Sequence, residues 1–316
     1  MFLGILHRGA QGEDLKNLIV LSLFFLSIQS VFATKTRHTI KALNEADMCF
    51  PANNLRFDLN MKSGEGITYF EFQEMIKKFN TTFDSFIQKK FGKKLIINGE
   101  WENDRVNAHA TRDDYNNAVI NILGGMVRHP EMTRDGLYMI MCHELGHQFG
   151  GAPKKFRGRS DKRSWSSAEG QADYFAVTKC LPLLFSDREE NKRLLALVDE
   201  ESYQQARLKC DDEKCVRMVL AGLSVGRVFA SLKNSWKMPS IKNSVQNQVS
   251  STNYKHPIPQ CRVDTFISGS LCDSNLDVAF DDIDPAVGSC IRTEDGYSQE
   301  KGARPLCWYK PAPLYR

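Results

Sequence analysis

Histidine is scarce in this chain, with 7 residues in 316. None of the 9 cysteines forms a Cys-x-x-Cys pair, so the usual ligand spacing of a cysteine-bound structural zinc is missing. Charge is nearly balanced, with 42 Lys and Arg against 38 Asp and Glu, a net +4. No aromatic residues interleave with the one basic cluster, and nucleic-acid binding is not expected. The apolar run Leu18–Ile28 is too short for a membrane span. There is no internal repeat, so a solenoid is not expected.

That apolar run reads instead as an export signal. Lys16 precedes it, and Val31-Phe32-Ala33 places small residues where a signal peptidase reads, with cleavage after Ala33. Glu13 and Asp14 occupy positions where positive charge is expected, which puts the expected start of the exported precursor near Leu15. No cysteine follows the cleavage point closely, which argues against a lipid anchor. All 9 cysteines lie beyond it, as disulfide use in an oxidising compartment requires. The expected location is periplasmic or extracellular, with no stable membrane span after signal removal.

Two of the 7 histidines stand four residues apart. Cys142-His143-Glu144-Leu145-Gly146-His147 contains His-Glu-x-x-His. On a helix, residues i and i+4 share a face, so His143 and His147 can offer two imidazole nitrogens to one metal ion. Glu144 lies beside that face, within reach of a water whose pKa zinc would lower. Thr133 can cap the start of this helix and Gly150-Gly151 can end it. Leu137, Ile140, Met141 and Leu145 are spaced for an apolar stripe.

Catalytic zinc generally takes a third protein ligand. Glu169, in Ser166-Ser167-Ala168-Glu169-Gly170-Gln171-Ala172-Asp173, is the candidate. Asp173 sits one turn later and can hydrogen-bond a ligating histidine. The competing reading is a capping box, in which Ser166 and Glu169 only satisfy backbone amides.

These residues resemble the gluzincin metallopeptidases of the HtpX and CAAX-prenyl-protease family, in its soluble exported branch. His143-Glu144-x-x-His147 and Glu169-Gly170-Gln171-Ala172-Asp173 carry the resemblance. Asn107-Ala108-His109-Ala110 and Val119–Leu123 match the two upstream strands, with His at 109 in place of an aromatic residue. His256-Pro257 and Arg262 match a downstream element. The resemblance extends over residues 64–265 and implies a zinc-dependent endopeptidase acting on protein or peptide substrates. It implies His143, His147 and Glu169 as ligands to one Zn2+, Glu144 as general base, and His256 or Arg262 near the reacting carbonyl. The gap from His147 to Glu169 is short for the family, and the family's multiple membrane spans are missing.

The expected fold is α+β and mainly helical: a gluzincin-like core with a zinc-binding helix pair and a small β-sheet, followed by a cysteine-bearing tail. The expected divisions are a signal at 1–33, an irregular lead-in at 34–63, the core at 64–236, and a loop and disulfide-bearing segment at 237–316, from which the His256–Arg262 stretch could complete the active site. Tyr69, Phe72, Ile76, Phe79, Phe83 and Phe86 predict a core-packed helix ending before Gly92. Strands are predicted at 95–97, 105–111 and 117–123, and helices at 168–182, 188–209 and 213–234. Cys142 is the expected unpaired cysteine, because it can simply pack inside its helix. Cys210 and Cys215 are close enough to pair locally and Cys290 with Cys307 could staple the tail, but eight cysteines allow about 105 pairings and spacing does not choose among them. The basic cluster Lys154, Lys155, Arg157, Arg159, Lys162 and Arg163, with Asp161 among it, reads as a solvated loop, or as a cleft rim favouring acidic substrates or an anionic envelope surface.

Three other functions fit the same residues: a zinc-binding envelope chaperone or scaffold with little proteolysis, a cysteine-stapled interaction module, and a zinc amidase acting on cell-wall peptides. An exported protease needs restraint, and residues 34–63 and the tail are the segments available to cover a cleft. No residue pattern chooses between them, and none indicates an oligomeric state.

Overall fold

Thr68 opens the first helix with a capping box. The Glu71 amide donates to Thr68 Oγ1 at 3.2 Å and the Thr68 amide donates to Glu71 Oε2 at 2.9 Å. This helix, α1 (Tyr69–Phe91), ends at Gly92, whose φ of 63° is the left-handed conformation glycine adopts without strain. Its buried row is Phe72, Met75, Phe79, Phe83 and Ile87. Tyr69 and Phe86, the two ends of the predicted stripe, are exposed. The predicted period was right, but the buried face is rotated toward Met75 and Ile87.

The computed structural model describes residues 49–61, 66–156, 163–291 and 301–311, all within a unit spanning residues 43–316. The signal segment, the lead-in up to residue 48 and the start near Leu15 lie outside the described residues. So do Arg157, Arg159, Asp161 and Lys162.

After α1 come β1 (Leu95–Glu100), β2 (Ala108–Arg112) and β3 (Ala118–Leu123). They form a three-stranded sheet in the order β1-β3-β2, with β1 parallel and β2 antiparallel to β3. The central strand β3 is buried throughout. Residues 105–107, expected in strand, stand outside β2. Arg105 instead makes a single antiparallel bridge to Arg56.

A short helix, α2 (Gly124–Val127), leads to α3 (Arg134–Phe149). Thr133 caps α3 by accepting from the Gly136 amide at 2.9 Å, and the Gly150 amide donates back to the Gly146 carbonyl at 2.7 Å. Every residue of α3 from Gly136 to Gln148 is buried. The predicted stripe is therefore one side of a helix enclosed on all sides, with later helices and the sheet around it.

A hairpin of β4 (Lys154–Phe156) and β5 (Arg163–Ser167) precedes α4 (Glu169–Phe175). A π-helical turn at Ala176–Cys180 and a short α5 (Leu181–Leu184) continue it, so the helix predicted at 168–182 is broken into pieces. The helix predicted at 188–209 is two helices, α6 (Arg188–Leu195) and α7 (Glu200–Arg207). The break falls where Asp199 caps α7 by accepting from the Ser202 amide at 2.9 Å. Helix α8 (Glu213–Ser231) starts on an Asp212 cap to the Cys215 amide at 2.8 Å. Helix α9 (Pro259–Ser270), with proline at its first turn, lies inside what was expected to be a loop and disulfide-bearing segment. It packs on α8 and α4. The last described stretch returns over it: the Val249 amide donates to Leu306 O at 2.9 Å and the Asn253 amide to Trp308 O at 2.7 Å. The fold is α+β and mainly helical.

Four disulfides tie this arrangement: Cys142–Cys180, Cys210–Cys215, Cys261–Cys307 and Cys272–Cys290. Only the local pair Cys210–Cys215 matches expectation. Cys142 is not the free cysteine, because α3 and the π-helical turn pack closely enough to bring it within 5.6 Å of Cys180, Cα to Cα. Cys290 and Cys307 do not pair with each other, because α9 lies between them and each is stapled to one of its ends. The free cysteine is the buried Cys49. Four disulfides fit an oxidising, exported compartment. Among the described residues no helix is long and apolar enough to cross a membrane.

Cys142–Cys180 closes a sequence separation of 38 residues, for which the chain-entropy model gives a stabilisation of about 4 kcal/mol. The double variant Cys142→Ser/Cys180→Ser is expected to lose about that much in urea unfolding under non-reducing conditions. An unchanged midpoint would show that packing alone holds α3 to the helix after it.

Candidate metal centre

The distance between α3 and α4 is set by Gly146. A Cβ there would lie 2.8 Å from the Ala172 carbonyl oxygen and 2.9 Å from its Cα, so a larger residue would push the helices apart. At this separation His143, His147 and Glu169 converge. His143 Nε2 is 3.4 Å from Glu169 Oε2, and His147 Nε2 is 3.6 Å from Glu169 Oε1. All three residues are buried.

The outer nitrogens of both histidines are held. His143 Nδ1 lies 2.7 Å from Asp173 Oδ1, and His147 Nδ1 lies 2.9 Å from the Ser167 carbonyl oxygen. A carbonyl oxygen only accepts, so Nδ1 of His147 carries the hydrogen. In the neutral ring its Nε2 lone pair then faces Glu169. The Asp173 carboxylate orients His143 in the same way. His143 Nε2, His147 Nε2 and Glu169 Oε2 have no hydrogen-bond partner although buried. Three convergent, buried, unsatisfied donor atoms are costly for a fold unless a cation takes them. The ligand atoms lie within 4.8 Å of one another, and this group could hold a metal ion.

Glu144 is fully buried beside them, and neither carboxylate oxygen has a hydrogen-bond partner. Burial pushes its carboxyl up to about 7, with the charge of Glu169 acting in the same sense and that of His143 against it. Burial also holds His147 well below the ordinary imidazole value, and the Lys155 ammonium adds to the effect. At Glu169 burial opposes ionisation, but the neighbouring His256, Lys155 and His147 outweigh it and hold the carboxyl well below the usual range. His143 goes the other way from His147. There burial is outweighed by the interactions with Cys49 and Asp173, which raise its proton affinity.

No protein-family model, curated protein or solved structure matches the chain.

Glu169 is the first residue of α4, whose N-cap is Ala168 without a side-chain cap. The capping-box reading of Ser166 and Glu169 is therefore not what forms. Ser166 Oγ lies 3.2 Å from His147 Nδ1 instead. His256 is brought to the site, with Nδ1 3.1 Å from Glu169 Oε2. Arg262 goes elsewhere. Its Nε donates to Asp173 Oδ2 at 2.8 Å and its Nη2 to Asp173 Oδ1 at 2.6 Å, and Nη2 lies 3.3 Å from His143 Nδ1. It is thus on the side of the His143 ring away from Nε2. The expected place of Arg262 near a reacting carbonyl gives way to a buried clamp on Asp173.

Two residues at the site were not foreseen. Lys155 Nζ donates to Glu169 Oε1 at 2.7 Å, and Lys154 is buried against the Trp165 carbonyl and Asp282. A solvated loop is thus the wrong reading for these two members of the basic cluster. Arg163 lies on the rings of Phe156 and Tyr254. The second unforeseen residue is Cys49, whose sulfur, a His143 nitrogen and a Glu144 carboxylate oxygen lie within 4.8 Å of one another. The odd cysteine count was the one sign of it in the sequence.

Proposed function

We propose that the protein is an exported zinc-dependent endopeptidase of the gluzincin type. The observation that carries this reading is the convergence of His143 Nε2, His147 Nε2 and Glu169 Oε2, buried and without hydrogen-bond partners, next to a Glu144 carboxylate that also has none. Two imidazoles and one carboxylate are a donor set suited to zinc with one position left open. Zinc bound there supplies a Lewis acid that polarises a carbonyl and acidifies water.

The chain's own residues divide the remaining work. Glu144 takes the proton of the attacking water and delivers it to the leaving amine, a task suited to a carboxyl titrating near neutrality. Asp173 fixes His143, and Arg262 fixes Asp173. Lys155 brings positive charge to Glu169, and His256 lies 3.1 Å from it as the candidate for steadying the oxyanion of the tetrahedral intermediate. Substrate would add as an extended chain along the edge of β2, which has a sheet partner on one side only.

Metal analysis of the purified chain tests the donor set. About one zinc per chain is expected in the wild type, and His147→Ala is expected to lose it. Equal zinc in both proteins would remove His147 from the set. A second reading, a closed metal site that serves structure or scaffolding, is favoured by the complete burial of His143 and Glu144. Cleavage of casein that depends on Glu144 would exclude it.

A further inference from the structure

The chain's own lead-in segment reaches the start of the strand edge along which substrate is proposed to bind. Residues 49–57 run antiparallel to residues 104–108, the stretch that leads into β2 and includes its first residue. The Cys49 amide donates to Ala108 O at 2.8 Å and the Phe57 amide to Asp104 O at 2.9 Å. Between them the Phe50 amide donates to Asn107 Oδ1 at 3.0 Å, Asn107 Nδ2 to Phe50 O at 3.1 Å, and Asn53 Nδ2 to Val106 O at 3.1 Å. Phe50 anchors the segment, fully buried with its ring centroid 5.4 Å from that of Phe229. This path sets one side chain, Cys49, against His143 and Glu144.

Cys49 is the free cysteine in a chain with four disulfides, and it is fully buried. Its sulfur lies within 4.8 Å of a His143 nitrogen and a Glu144 carboxylate oxygen, and His143 Nε2 and both Glu144 oxygens are buried without hydrogen-bond partners. Thiolate is a strong zinc donor. Three protein ligands leave a position open, whereas a fourth closes it.

We propose that Cys49 is a fourth metal donor that holds this centre latent, delivered to it by residues 49–57 lying along the substrate path. The inference rests on the metallopeptidase reading above. Coordination forms one sulfur–metal bond and releases the thiol proton, for which Glu144 is the adjacent acceptor. The same contact would close the open position. Activity then requires Cys49 to leave while His143, His147 and Glu169 keep the metal.

The test uses the mature chain with its disulfides intact, loaded with Co2+ for spectroscopy and with Zn2+ for cleavage of casein. Wild type is expected to show a near-ultraviolet sulfur-to-cobalt charge-transfer band. Cys49→Ala is expected to bind cobalt without that band and, with zinc, to cleave casein about tenfold faster or more, given a minor open population on the order of 10% or below in the wild type. Cys49→Ser serves as the second variant should alanine disturb the fold, with the same expectation for rate. Cobalt bound by wild type without the band overturns the inference and leaves the metallopeptidase reading standing. A band with no faster cleavage by either variant overturns latency and favours a closed structural site. Loss by both variants of a cleavage that wild type performs would make Cys49 a participant rather than a block. Failure of any protein to bind metal overturns both readings.

Discussion

Glu144→Gln is expected to keep its metal and lose proteolysis. Glutamine has the shape of glutamate but cannot take a proton from water, and general-base catalysis contributes typically about 10²–10⁴-fold. The loss in casein cleavage is expected on that scale, and is best read in a Cys49→Ala background, where the starting rate is higher. Zinc content is expected to stay at the parent's value, because the donor atoms belong to His143, His147 and Glu169. The fold is expected to hold or gain. A carboxylate with both oxygens buried and unpartnered is unfavourable where it stands, and its carboxyl is pushed up to about 7 chiefly by burial. A neutral amide relieves that desolvation. Higher thermal stability with cleavage gone would mark Glu144 as a group kept for chemistry at the expense of stability. Cleavage equal to the parent's would refute its role as base.

Arg262→Leu is expected to damage the fold and the metal centre together. Arg262 and Asp173 are both fully buried and joined by two hydrogen bonds of 2.8 and 2.6 Å. Removing the guanidinium strands a buried carboxylate, which costs about 3–5 kcal/mol, or roughly 10 °C in melting temperature for a unit of this size. Asp173 also steers His143, so zinc affinity is expected to fall about 10–100-fold. A direct role of Arg262 at the reacting carbonyl would instead lower turnover with melting temperature and metal affinity intact. Asp173→Asn combined with Arg262→Leu completes a double-mutant cycle. The pair is expected to be less destabilised than the sum of the single changes, because neither charge is then left alone. Additive effects would break the link between the two residues.

The site divides by how its residues are related along the chain. His143 and His147 were legible because a helix places i and i+4 on one face whatever surrounds it, and Thr133 and Gly150 bound that helix by local hydrogen bonds. Asp173 followed from Glu169 by the same one-turn geometry. Thr68 and Gly92 bound α1 in the same local way.

Tertiary structure decided whatever depends on which segments meet. Helix α3 is enclosed on every side, so its own periodicity could not show which face carries the site. The break between α6 and α7 follows from Asp199 capping a new helix, an alternative that an unbroken run of helix formers conceals. Cystine pairing, apart from the local Cys210–Cys215, depended on α9 standing between Cys290 and Cys307 and on the close packing behind Cys142. Lys155 looked like one cation in a basic run until the β4–β5 hairpin turned it onto Glu169. Arg262 matched a family element in the sequence, but only packing shows that its guanidinium is committed to Asp173. Cys49 lies far along the chain from His143 and Glu144. The backbone pairing of residues 49–57 with residues 104–108 brings its sulfur to them, and no local spacing encodes that pairing. The sequence by itself therefore determined the His143–His147 pair of a centre able to hold a metal ion, because one helix fixes both. Only the tertiary structure decided what lies against that centre, because those contacts join segments that have no local relation to one another.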